Sequence, residues 1–240
     1  MKRRSMVGAA LAVVASVALA GSALAAGFTN GSFESGTFVN GGSGFETLAA
    51  GTANAGAITG WTVTAGSVDW ISTYWTAEDD SMSLDMNGSP PGSTVGSISQ
   101  TFDTSPNSTY AVQFYLAGNP MCGPATKTLW VSATGTSAAS YSFTNTSATT
   151  TTNMGWVSEE YSFTATASST TLVFAADPGN TSNCGPALDN VTVTLLTSAT
   201  GAQCKDGGWK SMVDNSGVPF KNQGACVSFY ATNGAVPIGS

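Results

Sequence analysis

The sequence predicts an all-β fold: a two-sheet sandwich or jelly roll, followed by a small disulfide-stapled unit at the C-terminal end. Three observations predict it. Apolar residues recur at every second position in many short runs. Thr and Ser clusters or Gly-Pro words separate those runs at fairly even spacing. No stretch after residue 25 shows a convincing helical period. Many short strands spaced in this way mark sandwiches and jelly rolls.

The elements follow in order. Residues 1–25 read as a secretory signal peptide, with Lys2, Arg3 and Arg4 ahead of an apolar run from Val7 to Leu19 and the small residues Ala23-Leu24-Ala25 at the cleavage site. Nothing later is long and apolar enough to span a bilayer. Residues 26–197 form the sandwich. Within it, 36–57 is Gly-rich and apolar-poor and reads as a long loop. Strands are expected near 58–64, 66–72, 81–86, 95–102, 127–134 and 139–145. In STYAVQFYLAG, Tyr110, Val112, Phe114 and Leu116 share one face, with Gln113 and Tyr115 opposite. Tyr161 and Phe163, Leu172 and Phe174, and Val191, Val193 and Leu195 continue the alternation. The pattern breaks at a linker, 198–203. Residues 204–240 form a Cys-bounded unit too small to hold much of a core, for which a disulfide is the expected staple.

Composition narrows the partners. The net charge is −7, and it falls to −10 once Lys2, Arg3 and Arg4 leave with the signal peptide. Such a surface repels phosphate, so nucleic acid and anionic lipid are excluded as partners. Charged residues are 9% of the chain, against roughly 25% in ordinary domains. Solubility rests on Ser, Thr, Asn and Gly. The spread of aromatic and β-branched residues argues for a packed fold over disorder.

Four cysteines in an exported chain point to disulfides, and four allow three connectivities. Cys122 in MCGP and Cys184 in NCGP sit in matching words, whereas Cys204 and Cys226 bracket the C-terminal unit. The expected bridges are Cys122–Cys184 and Cys204–Cys226. Metal ligation by the four is disfavoured by the absence of histidine and of any CxxC.

A series of words comes in order: NGSFESG, ITGWTV, SVDWISTYW, SMSLDMNG, ISQTF, YAVQFYLAGNP, MGWVSEEYSFTA and GPALDNVTV. Over about residues 27–197 the chain resembles the choice-of-anchor C family of bacterial secreted surface proteins. It is also similar to a plant cell-wall family long labelled as a domain of unknown function. The resemblance implies a galactose-binding-like β-sandwich (jelly roll), as in many carbohydrate-binding modules, and an extracellular, glycan-associated role. Plant relatives carry two such domains in tandem and this chain has one. The C-terminal segment resembles one with the core FKNQGxCVSF found on other secreted actinobacterial proteins. In similar carbohydrate-binding modules an Asn-Gly-x-Phe-Glu word and a late Leu-Asp word, together with backbone carbonyls, hold a structural calcium ion, and Glu34 and Asp189 occupy those positions here. A hard cation asks for several oxygens of this kind.

Sugar sites pair an aromatic platform with a few placed polar groups. The richest supply lies in VDWISTYWTAEDDS, which offers Asp69, Trp70, Tyr74 and Trp75; Asp85 follows in LDMNG, and Gln113, Tyr115 and Asn119 lie on or just past another strand. One of Trp70 and Trp75 is expected to be buried. No His-based triad is available and no GxSxG occurs. A glycosidase pair could be drawn from fourteen acidic residues, but nothing marks one. The reading is therefore a secreted, non-catalytic module for an extracellular glycan or cell-wall polymer. A neutral glycan comes first, because an acidic one is repelled unless calcium bridges it. The rival readings are a surface protein that binds another protein and, behind it, a glycoside hydrolase.

Overall fold

The computed structural model describes residues 23–39, 41–88, 95–197 and 199–232. Twelve strands run in chain order: β1 (Ala23–Leu24), β2 (Phe45–Ala49), β3 (Thr62–Ala65), β4 (Ser67–Ile71), β5 (Ser83–Asp85), β6 (Ser97–Asp103), β7 (Thr109–Gly118), β8 (Thr126–Ala133), β9 (Ala139–Thr144), β10 (Val157–Thr164), β11 (Ser169–Ala176) and β12 (Pro186–Thr197). They form two antiparallel sheets. One has seven strands, in the order β10-β7-β12-β5-β4-β2 with β1 also on β12; the other has five, in the order β3-β6-β11-β8-β9. This is the expected two-sheet β-sandwich.

Period-two alternation builds both layers. On β7, Tyr110, Val112, Phe114 and Leu116 are buried between the sheets while Gln113 is exposed. Leu172 and Phe174 of β11 meet them from the five-stranded sheet, and Phe114 and Phe174 pack edge to face with centroids 5.4 Å apart. Trp61, Trp70 and Phe33 are buried in the same core. The Trp61 indole N–H donates to the Asn30 carbonyl at 2.9 Å and the Trp70 indole N–H to the Phe33 carbonyl at 3.1 Å, so neither ring leaves a buried donor unpaired.

Two expectations are corrected. Residues 36–57 are not all loop: β2 pairs with β4 over Phe45–Ala49 and forms the edge of the seven-stranded sheet. The C-terminal unit is also partly helical. Two short 3-10 turns, Gly201–Cys204 and Gly208–Ser211, lead to helix α1, Gln223–Ala231, whose first turn is capped by the Asn222 side chain accepting from the Ala225 N–H at 2.9 Å.

Both expected disulfides form, Cys122–Cys184 and Cys204–Cys226. Buried Cys204, Cys226 and Met212 are the small unit's core, with Phe220 and Tyr230 packed against them. The unit sits on the turn before β7. The Asn107 side chain donates to the Val213 carbonyl at 2.9 Å and also bonds the Tyr230 hydroxyl, and the Ala199 N–H donates to Ser108 Oγ at 3.0 Å.

Candidate functional site

The face of the seven-stranded sheet that points away from the core carries the site. The pairing register places Thr47, Asp69, Asp85, Ala187 and Ala117 in one row across β2, β4, β5, β12 and β7. Asp69 and Asp85 are directly opposite each other on neighbouring strands. Beside them opens a cavity of about 160 Å³, lined by Phe45, Asp69, Ile71, Tyr74, Asp85, Asn119, Met121, Asn183 and the Cys122–Cys184 bridge. Phe45 and Tyr74 form one wall, edge to face at 5.4 Å. The disulfide joins the loop after β7 to the loop before β12 and forms another wall.

Asp85 is held by three donors. Its Oδ1 accepts from the Asn87 N–H at 2.9 Å and the Gly185 N–H at 2.8 Å, and its Oδ2 accepts from the Asn119 amide at 2.7 Å. Gly185 has to be glycine for this approach, since a Cβ there would stand 2.5 Å from Asp85 Oδ1. Burial still raises the Asp85 pKa to about 7; the three donors oppose the rise and the neighbouring Asp69 adds to it. Asp69 Oδ1 accepts from the Thr47 hydroxyl at 2.6 Å.

Lys127 lies fully buried behind the disulfide wall. Its ammonium donates to the Cys122 carbonyl at 2.9 Å and the Cys184 carbonyl at 2.6 Å, tying both half-cystines to β8. Burial lowers its pKa to about 8, and the attraction of Asp85 opposes that. Asn119 donates one amide hydrogen to Asp85, and the cavity lining carries two acidic side chains and no Lys or Arg. An uncharged polar group suits such a lining better than an anion.

Of the expected ligand residues, Asp69, Tyr74, Asp85 and Asn119 meet at this cavity. Trp70 does not: Asp69 and Trp70 are adjacent on one strand and point to opposite faces, so Trp70 belongs to the core. Trp75 does not either. It is 4% exposed, and its indole N–H donates to Ser83 Oγ at 2.8 Å. With Met154 it packs on Ile71, Ala117 and Ala187, flanked by Tyr74 and Trp156, and covers the middle of the face. Gln113 and Tyr115 lie beyond this cover on β7, away from the cavity, and the Gln113 amide donates to Ser158 Oγ at 3.2 Å. Sequence reasoning missed Phe45, Met121 and Asn183. Phe45 sat in the stretch read as loop; the other two flank the half-cystines, and the MCGP and NCGP words were the available signal.

Glu34 and Asp189 reach the same loop, residues 78–82. Phe33, buried at φ 61°, turns the chain so that the Glu34 carboxylate accepts from the Ser81 N–H at 3.0 Å, the Ser81 hydroxyl at 2.8 Å and the Met82 N–H at 2.5 Å. Asp189 accepts from the Glu78, Asp79 and Asn190 N–H groups at 2.8, 3.1 and 2.7 Å. Between them the two carboxylates accept six hydrogen bonds, five of them from this loop. Among the described residues no three His, Cys, Asp or Glu side chains gather as metal ligands.

The chain has a low similarity to solved carbohydrate-binding modules. The chain is similar to TmCBM61, solved in complex with β-1,4-galactotriose, at 16% identity and a TM-score of 0.41, covering 71% of this chain and 97% of that one. It is similar to the CBM22-1 xylan-binding domain of Paenibacillus barcinonensis Xyn10C at 17% identity and a TM-score of 0.40, covering 69% and 99%. Among characterised proteins, 48 residues are 46% identical to Halomucin of Haloquadratum walsbyi; they make up 20% of this chain and 0% of that protein after rounding, so the match spans a very small part of it. Residues 26–194, most of the chain, match the family described as "Protein of unknown function (DUF642)", and the chain belongs to that family.

Proposed function

We propose that this chain is a secreted, non-catalytic carbohydrate-binding module whose ligand is a neutral glycan. One observation carries the reading: a preformed cavity on the sheet face that is lined together by the aromatic pair Phe45 and Tyr74 and by the carboxyl groups of Asp69 and Asp85. A sugar ring offers C–H groups to an aromatic wall and hydroxyls to acceptors, and small-ligand sites combine apolar walls with few placed polar atoms. A uronate or sulfate would bring further negative charge beside Asp69 and Asp85, where burial already disfavours charge. Three protein donors fix the Asp85 carboxyl in place, which suits a positioned binding group. In this reading Glu34 and Asp189 anchor the 78–82 loop directly, without calcium, and the C-terminal unit caps the sandwich at the turn before β7.

The test is binding of residues 23–240, which keep β1 on β12, to a panel of neutral and acidic polysaccharides. Saturable binding to a neutral polymer is the expected result, at least tenfold weaker for Tyr74→Ala and for Asp69→Asn. No binding anywhere on the panel, or binding that ignores both substitutions, refutes the site. In the first case a protein partner becomes the reading to pursue.

A further inference from the structure

We infer that the cavity takes the end of a glycan chain and not a stretch of its interior. The inference rests on the carbohydrate-binding reading and goes further, because it concerns the shape of ligand that can reach the acceptors.

The open face of a twisted sheet is wide enough to offer a groove across several strands. Here that groove is interrupted. Trp75 and Met154 lie on Ile71, Ala117 and Ala187, in the middle of the face. The cover is built from two loops that are tied together. The Thr76 N–H donates to the Thr151 carbonyl at 2.8 Å, the Trp156 indole N–H donates to the Thr76 carbonyl at 3.2 Å, and Trp75 is pinned from below by Ser83. Buried indoles hydrogen-bonded at their polar edge are fixed parts of a structure. Tyr115 and Gln113 line no part of the cavity that holds Asp69 and Asp85.

The second limit is the disulfide. Cys122 and Cys184 stand beside the two carboxylates, and Lys127 fastens their carbonyls from behind. The floor of the site is thus bounded by the central cover and by a cross-linked wall. A cavity of about 160 Å³ with these boundaries has room for the terminal ring and little more. Discrimination at that ring is by charge as well as size, since a terminal uronate meets Asp69 and Asp85 at close range.

The experiment is calorimetric titration with defined ladders of β-1,4-linked galactose, xylose, glucose and mannose oligomers, one to six units long. For the ladder that binds, the affinity should be reached by two units and stay within about twofold from two to six. A glucuronate cap on the non-reducing end should weaken it at least tenfold. A groove behaves differently: each added unit makes new contacts, and affinity climbs through four or five units. A rise of tenfold or more between two and five units overturns the chain-end inference and leaves the carbohydrate reading standing. Binding by none of the ladders overturns both. Trp156→Ala thins the central cover at a residue outside the cavity lining; gain of length dependence in that variant supports the inference, and unchanged flatness there overturns the cover as its cause.

Discussion

The buried carboxyl of Asp85 makes the stability of the sandwich fall as the solution leaves the acid range. In the fold its pKa is about 7; in the unfolded chain it is near 3.8. The folded form holds the proton more tightly, so its contribution is fully present below about pH 4 and is lost as pH rises through about 7. The groups that face it are Asp69, which adds to the rise, and Lys127, which stays protonated below about pH 8. At about 1.4 kcal/mol for each unit of pKa difference, the loss between pH 4 and pH 8 comes to about 4 kcal/mol before relaxation. Urea unfolding followed by tryptophan fluorescence at pH 4.5, 6 and 7.5 measures it. Asp85→Asn supplies the control: the amide oxygen can keep the Asn87 and Gly185 N–H bonds, while its NH₂ group faces the Asn119 donor. This variant should be less stable than the parent at pH 4.5 by about 1 kcal/mol and should lose about half of the pH slope between 4.5 and 7.5, because Asp189, whose pKa burial also raises to about 7, titrates over the same range. A parent whose stability is flat or rising over that range refutes the reasoning, as does a variant that keeps the parent's slope.

Three further outcomes are expected. Replacing Cys122 and Cys184 together by Ser should cost about 2–5 kcal/mol of stability and weaken glycan binding, because the bridge is also a wall of the cavity; unfolding midpoints and titration of the same variant report both. Adding EDTA should leave the melting temperature unchanged, whereas Glu34→Ala, which orphans the Ser81 and Met82 N–H groups, should destabilise by about 1–3 kcal/mol; a fall in melting temperature on EDTA that calcium restores would return a metal to the structure. Trp70→Ala should cost about 3–5 kcal/mol as a core deletion, while Tyr74→Ala should remove binding with a far smaller change in melting temperature.

Much of the sandwich was legible because a sheet with one buried face writes itself as alternation. Every strand read from the 110, 161, 172 and 191 series lies where its buried residues require. β2 was hidden because it is a short edge strand with one fully buried residue, Leu48, amid Gly-rich sequence. Helix α1 was hidden for the opposite reason. Its Ala225, Val227 and Phe229 alternate with other residues as a strand would, and the Asn222 cap was the cue to the contrary. At the site, residue types were informative and directions were not fully used. Asp69 and Trp70 were named together although a strand sends neighbours to opposite faces, and the same rule, applied strictly, separates them. That Trp75 would cover the face instead of presenting itself depends on a loop contact to Met154, 79 positions away, which no local pattern encodes. The pairing of Cys122 with Cys184 was visible in matching words, but their service as a wall follows only from the crossing of β7 and β12.

The burial of Lys127 has a consequence for handling the protein. From residue 5 to residue 204 it is the only lysine or arginine, and it lies within β8, paired on both sides by β11 and β9. Lys205, Lys210 and Lys221 are exposed on the C-terminal unit. Trypsin therefore has one target in the sandwich, available only once the sheet opens, and from residue 5 onwards it cuts the folded molecule first at the C-terminal unit. Amine-reactive tethers are confined in the same way to that unit and the chain's N-terminus, so a molecule fixed to a bead by its lysines presents the cavity without modification at it.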